Sequence, residues 1–461
     1  MAPLIPTVVE IKSKSGNAAT TIATAETSAV APSDWLRLTR AIAGCTFDFE
    51  ADSASALSRL VSDAATADVQ ESFLQHLDPS FWPVSDLMAR IVQVLISIAG
   101  ILMKDADISI SFIEGQLVED RVFWQDPEGD LARRAGRQGL VFMAIGWMTN
   151  MFNPVLTSLS STASGIFSVD TEHSTCFESS TVSSDLTGRP IAEMMRHFGD
   201  LLPSRRPTQY EGREGEASPL LEAEGTASDI LHVASINVSS LRTLGGVKVE
   251  WTGCISSHLD FDPARLDPTS GNIVPVLKIF RYPSLCYQHA PKSSILHKVL
   301  ESWYDERAKP PGFEAKGLVQ EILISYKLLV LFDRNSRKLY RSYLRPGLLG
   351  RLFDPVLDTL CLAQKRHWYH EYFGFADFPV RETFYAPSDF PIFSPRLTHL
   401  ERFIDSIQPN RISSLWRDKR DILRWYTFWA VVILGGVNLL IALAQVGLGA
   451  AQVNLALKSS N

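Results

Sequence analysis

The spacing of hydrophobic and polar positions changes several times along this chain, and its most extreme stretch lies near the C-terminal end. From Trp425 to Leu457, thirty-three residues pass without a charge. A bilayer core takes about 20 apolar residues, so the run predicts a transmembrane helix rather than a core helix. At about 1.5 Å per residue it reaches about 50 Å, against a hydrocarbon layer of about 30 Å, which is too short for two crossings. One crossing is expected from near Trp429 to near Gly449, with residues 450–457 extending into the far interface.

Upstream, the periods are those of an α+β chain: a mainly helical domain with a small antiparallel β-sheet. Residues 1–32 are rich in Ala, Thr and Ser without a period and read as a disordered tail. Residues 33–156 form a helical block. Its clearest helix runs from about Pro83 to Lys104, with Arg90, Gln93, Ser97, Gly100 and Lys104 in one polar stripe. Ile108 to Ile113 alternates apolar residues with Ser and predicts a short strand. Asp126-Pro127-Glu128 predicts a helix start, followed by Arg133, Arg134 and Arg137 on a solvated face and an apolar core run from Leu140 to Thr149.

Residues 157–230, first Ser/Thr-rich and then rich in Pro, Gly and Glu, read as loops and linker. Residues 231–290 are the β region. There Val247, Val249 and Trp251 alternate with Lys248 and Glu250, while Gly245-Gly246 and Gly271-Asn272 signal turns. Three or four antiparallel strands are expected. Residues 291–408 return to helices: Leu318 to Phe332, a helix capped by Asp354 and running towards Phe373, and one opened by Ser394-Pro395. The last carries Leu397, Leu400, Ile404 and Ile407 at heptad-like spacing.

The flanks of the uncharged run orient it. Trp425, Tyr426 and Trp429 stand where amphipathic rings favour the headgroup level. Arg417, Lys419, Arg420 and Arg424 crowd the juxtamembrane segment 409–424, whereas only Lys458 follows the span. By the positive-inside rule the N-terminal bulk faces the cytosol. With no basic n-region and h-region near Met1, the pattern is that of a tail-anchored protein of the endoplasmic reticulum or secretory membranes. The sequon Asn237-Val238-Ser239 would then stay unmodified.

Within the span, Gly435, Asn438, Ala442, Gln445, Gly449 and Gln452 follow a 3-4-3-4-3 spacing, the seam of a heptad. Small residues let helices approach closely, and Asn and Gln in hydrocarbon seek hydrogen-bond partners. The seam predicts a contact with a second transmembrane helix, its own copy or a partner's. Gly436, Gly447 and Ala451 lie off it, as expected of residues common in any span.

The net charge is −7, so no global basic field points to nucleic acid. The basic cluster before the span reads as topology, with contact to anionic lipids as its second role. Cys45, Cys176, Cys254, Cys286 and Cys361 are far apart and form no CxxC, which suits reduced thiols.

Two triplets could carry chemistry. His258, Asp260 and Asp262 alternate in HLDFD, so on a strand they would share one face, as a metal or acid/base site needs. His367, His370 and Glu371 have helical spacing that sets them on one face in usable ligand geometry, although Trp368, Tyr369, Tyr372 and Phe373 around them fit an aromatic packing surface. Cys286 and His289 are neighbours without a recognisable orienting group. No GxSxG, HExxH, Walker A or GxGxxG motif occurs in a suitable setting, so no catalytic, cofactor or metal residue is assigned.

The runs GWMTNMFNP at 146–154, CISSHLDFDP at 254–263 and LWRDKRDILRWYTFWAVVILGGVNLL at 415–440 resemble a family of uncharacterised proteins of filamentous fungi with a single C-terminal span. The resemblance covers the middle and the C-terminal third. It implies a membrane assignment and a shared domain around HLDFD, but supplies no catalytic residues. The expectation is therefore a single-pass membrane protein whose cytosolic domain acts as a non-enzymatic scaffold, adaptor or sensor, its partners being the lipid bilayer and another transmembrane helix. The alternative is a membrane-bound hydrolase or metalloenzyme built on one of the two triplets.

Overall fold

The computed structural model describes residues 30–47, 50–79, 86–105, 107–125, 130–155, 166–170, 180–196, 229–267, 271–301, 315–348, 353–362, 381–407 and 422–459. They form a mainly helical α+β fold with small sheets and one long apolar helix at the C-terminal end. The first block packs α1 (Pro32–Ala43), α2 (Glu50–Ala64), α3 (Ala67–His76), α4 (Leu87–Leu102), α5 (Ile110–Glu119) and α6 (Leu131–Thr149). In α4, the Asp86 side chain accepts the Met88 N–H at 3.1 Å and so starts the helix, whose Ile91, Val94, Leu95, Ile98 and Leu102 are buried. Every residue of α6 from Arg137 to Thr149 is buried, so this helix runs through the core. Each fully buried aliphatic side chain contributes about 1.5–3 kcal/mol, and that burial drives the packing.

Strands β1 (Asn153–Val155), β2 (Ile166–Asp170) and β3 (Ser180–Ser183) form an antiparallel sheet beside α6, where the Phe167 and Phe142 rings pack with their centres 4.9 Å apart. After α7 (Ile191–Arg196), strand β4 (Ile230–His232) leads into α8 (Val233–Ile236) and α9 (Val238–Thr243). The central sheet has the order β5 (Lys248–Thr252), β7 (Ile273–Phe280), β6 (Phe261–Leu266). Helices α10 (Pro283–Gln288), α11 (Ile295–Glu301), α12 (Ala315–Tyr326), α13 (Arg334–Leu339) and α14 (Pro355–Leu362) follow, and α12 continues through a π-helical turn, Lys327–Leu331. Strand β8 (Thr383–Tyr385) returns to pair with β4, and the helix Ser394–Ser406 buries Leu397, Leu400 and Ile404.

Several expectations need correction. Ile108–Ile113 is not a strand: the Ser109 hydroxyl accepts the Phe112 N–H at 3.1 Å and caps α5. Ile110, Ile113 and Leu117 then repeat at helical spacing on the buried face. The helix expected at Asp126 begins at Leu131, capped by Asp130. Arg133 and Arg134 are solvated as expected, but Arg137 is buried and pairs with buried Glu114 at 2.6 Å. Inside the stretch read as loop lie β2 and β3, where alternation in Ile166-Phe167-Ser168-Val169 outweighs the Ser/Thr-rich composition. The central sheet is mixed: β6 is antiparallel to β7, but β5 is parallel to it, with Thr252 paired to Phe280. Hairpin signals alone could not reveal that, because β6 lies between the parallel partners in sequence and outside them in space. Residues 1–29 of the expected tail and 197–228 of the linker lie outside the described residues.

Candidate functional site

The C-terminal helix, Ile422–Ser459, contains a continuous apolar segment from Trp429 to Gln452 with a mean hydropathy of 2.2, none of it buried within the molecule. Its 24 residues span about 36 Å, enough to cross a bilayer core. Tyr426 is exposed at its start. Trp425 and Arg424 lie on the helix, whereas Arg417, Lys419 and Arg420 fall outside the described residues. Gly435, Asn438, Ala442, Gln445, Gly449 and Gln452 share a stripe about 100° wide, as about 100° per residue requires. A Cβ added at Gly435 or Gly449 would meet nothing within 4 Å.

His258, Asp260 and Asp262 do not share a strand face. β6 begins only at Phe261, and Leu259 before it has a positive φ of 59°, which turns the chain between His258 and Asp260. His258 is fully buried. Its Nδ1 accepts the Phe280 N–H at 3.1 Å and its Nε2 donates to Ser325 Oγ at 2.8 Å. Burial, with the charge of Arg396, holds its pKa well below the usual value, so the ring is neutral. Asp260 pairs with Lys278 at 3.4 Å, and Asp262 accepts the Ala264 N–H at 3.0 Å. His258 therefore ties the turn to β7 and α12, while the two carboxylates serve local contacts. His367, His370 and Glu371 lie outside the described residues. Among the described residues no three His, Cys, Asp or Glu side chains gather as metal ligands.

A different constellation forms where α2, the end of α6 and the ends of β5 and β7 meet. A half-open cleft of about 230 Å³ is lined there by Asp63, Trp147, Asn150, Phe152, Trp251, Cys254 and Arg281 among others. The parallel strands β5 and β7 both end at it: Gly253 and Cys254 follow one, Arg281 the other, and the Arg281 N–H donates to Thr252 O at 2.9 Å. Asn150 closes α6 in the left-handed region, φ 56°, which Asn tolerates better than most residues. Its backbone oxygen accepts the Ile255 N–H at 2.7 Å, stitching the α6 end to the segment after β5. Its Nδ2 donates to Trp147 O at 2.8 Å.

Comparison of the chain with protein families, with curated proteins and with solved structures returned no match. The chemistry of the site therefore rests on its own geometry. Arg281 Nη2 lies 3.7 Å from Asp63 Oδ2, and the guanidinium carbon sits 4.7 Å from the centre of the Tyr282 ring. Its Nε–H is buried and meets no acceptor among the described residues.

Beneath the cleft, His289 Nε2 faces Asn150 Oδ1 at 3.4 Å. Burial, reinforced by His297, lowers the His289 pKa to about 3. Burial also pushes the Cys286 thiol well above its usual range, away from the thiolate that a nucleophile needs. Cys286 and His289 thus belong to a neutral interior layer. The sequence assigned no role to Asp63, Trp147 or Arg281. No local period or composition linked these residues, which come from segments far apart in the sequence.

Proposed function

We propose that this chain is a single-pass membrane protein, anchored through its C-terminal helix, whose α+β domain faces the cytosol and acts as a scaffold or sensor at an endoplasmic reticulum or secretory membrane. The observation that carries the reading is the Trp429–Gln452 segment: 24 residues, strongly apolar and entirely unburied within the molecule. An apolar surface of that size finds no cover in the folded domain, and a bilayer supplies it. The basic residues before the span support the cytosolic orientation. Kinship with the single-span fungal family forms part of the same reading. The stripe from Gly435 to Gln452 packs against a second transmembrane helix, its own copy or a partner's.

Microsomes carrying the full chain test this. The protein is expected to resist alkaline extraction, to be digested by protease added outside, and to become extractable when 425–457 are removed. Release of the full chain at alkaline pH would overturn the anchor, and glycosylation of a sequon introduced within residues 1–29 would overturn the orientation. A glycan on the natural sequon would overturn the orientation as well, whereas its absence decides nothing, because the folded chain buries the site. Asn237 is 4 % exposed, accepts the Ser240 N–H at 2.9 Å as the cap of α9, and donates to Val233 O and Ala234 O. Single cysteines from 435 to 452 should crosslink with a seven-residue period, and uniform or absent crosslinking would sink the helix contact.

A further inference from the structure

The cleft at the ends of β5 and β7 is lined by residues outside the C-terminal helix. Its position already favours a ligand. In open α/β sheets, ligands bind outside the carboxyl ends of parallel strands, and the parallel pair in this mixed sheet offers the same kind of crevice. Here β5 and β7 both end at the cleft, one continuing into Gly253-Cys254 and the other into Arg281.

The functional groups at this position favour an anion. A guanidinium is a planar fork that takes carboxylate or phosphate oxygens two at a time. Arg281 holds Asp63 at 3.7 Å, beyond hydrogen-bond distance, and its buried Nε–H has no acceptor among the described residues. A buried donor left unmet is costly, and such groups call for a specific explanation. Size and walls narrow the class further. Trp147, Phe152 and Trp251 give the cleft aromatic sides, and its volume of about 230 Å³ lies just below the about 300–1,000 Å³ usual for pockets that hold drug-sized ligands. That admits a small molecule or one headgroup, not a peptide.

We propose that this cleft binds a small molecule bearing a carboxylate or phosphate group, held by the Arg281 fork beside Trp251, with Asp63 as the intramolecular anion it displaces. The group could be carried by a soluble metabolite or by a lipid headgroup.

The test uses the full chain in phosphatidylcholine nanodiscs, titrated calorimetrically with inorganic phosphate, acetate and benzoate. A parallel arm adds phosphatidic acid to the discs and repeats the titrations. Saturable one-to-one binding of at least one soluble anion, or its competition by phosphatidic acid, is expected. Arg281→Gln should weaken it at least tenfold. Asp63→Asn should tighten it about fivefold, the weight of one partly exposed charge pair. The gain in Asp63→Asn keeps the test decisive if Arg281→Gln folds poorly. Inhibition by phosphatidic acid that depends on Arg281 identifies a lipid source, and binding indifferent to it identifies a soluble one. No saturable binding in either arm, or affinities unchanged in both variants, overturns the proposal.

Discussion

Glu321 offers the sharpest test of the interior. It lies on α12 at 3 % exposure, and its carboxyl oxygens accept the Ile392 N–H at 3.1 and 3.0 Å and the Phe393 N–H at 2.8 Å. These bonds fasten the segment before the helix Ser394–Ser406 to the core. Burial raises the carboxyl pKa from 4.5 to about 8, although the two amide bonds pull the other way. Between those two pH values the folded chain keeps a proton that the unfolded chain has lost. Stability from this group is therefore complete below about pH 4.5, falls as pH rises towards 8 and levels off above it. At about 1.4 kcal/mol per unit, the whole shift amounts to on the order of 5 kcal/mol. Glu321→Gln keeps an oxygen to accept the amide N–H groups and removes the titration. Urea unfolding of the chain in detergent, followed by circular dichroism at pH 5 and pH 8.5, should show the wild type losing several kcal/mol more than the variant. Burial also raises Glu401 to about 7 and Asp354 to about 6, but these groups act alike in both proteins and cancel in the comparison. Equal pH dependence in the two proteins would refute the assignment.

Three further outcomes follow from the packing. His258→Ala should cost about 3 kcal/mol in the same assay, since it strands the buried Phe280 N–H and opens a cavity, whereas Asp262→Asn should stay within about 0.5 kcal/mol. Equal costs would contradict the separation of the triplet. Glu114→Gln should destabilise by about 3–5 kcal/mol because it leaves the buried Arg137 guanidinium without its counter-charge, and a loss typical of surface pairs would refute that. Leu440→Arg near the middle of the C-terminal helix should cost about 2.5–3.5 kcal/mol in insertion and lower the membrane-bound fraction, while an unchanged fraction would argue against a spanning helix.

What could be read from the chain was whatever is encoded by local period. The uncharged run at 425–457, the β7 boundaries after Gly271 and the apolar helix around Ile91–Leu102 all declare themselves within a dozen or so residues. Ser109 shows the limit: alternation over six residues imitates a strand, and only the cap to Phe112 and the wider spacing through Leu117 decide for a helix. Arg137 looked solvated because its partner, Glu114, sits on another helix. The parallel pairing of β5 with β7 was hidden for a related reason, since sequence order favours β6 as the neighbour of both. The cleft was least legible. Asp63, Asn150 and Arg281 come from three distant segments, and no local pattern links a carboxylate near the end of one helix to a guanidinium after a strand.

The short interval between the helix Ser394–Ser406 and the start of the C-terminal helix has a consequence for encounter rates. Residues 408–421 can reach at most about 50 Å even when fully stretched, at ~3.3–3.6 Å each. With the span in a bilayer, the domain would be confined to a thin layer above the lipid surface instead of sampling the whole aqueous volume. Two copies, or a copy and a neighbour in the same membrane, would then search for each other in two dimensions at a high effective concentration. Contacts too weak to hold in free solution could persist there, because tethering has already met part of the entropic cost of association.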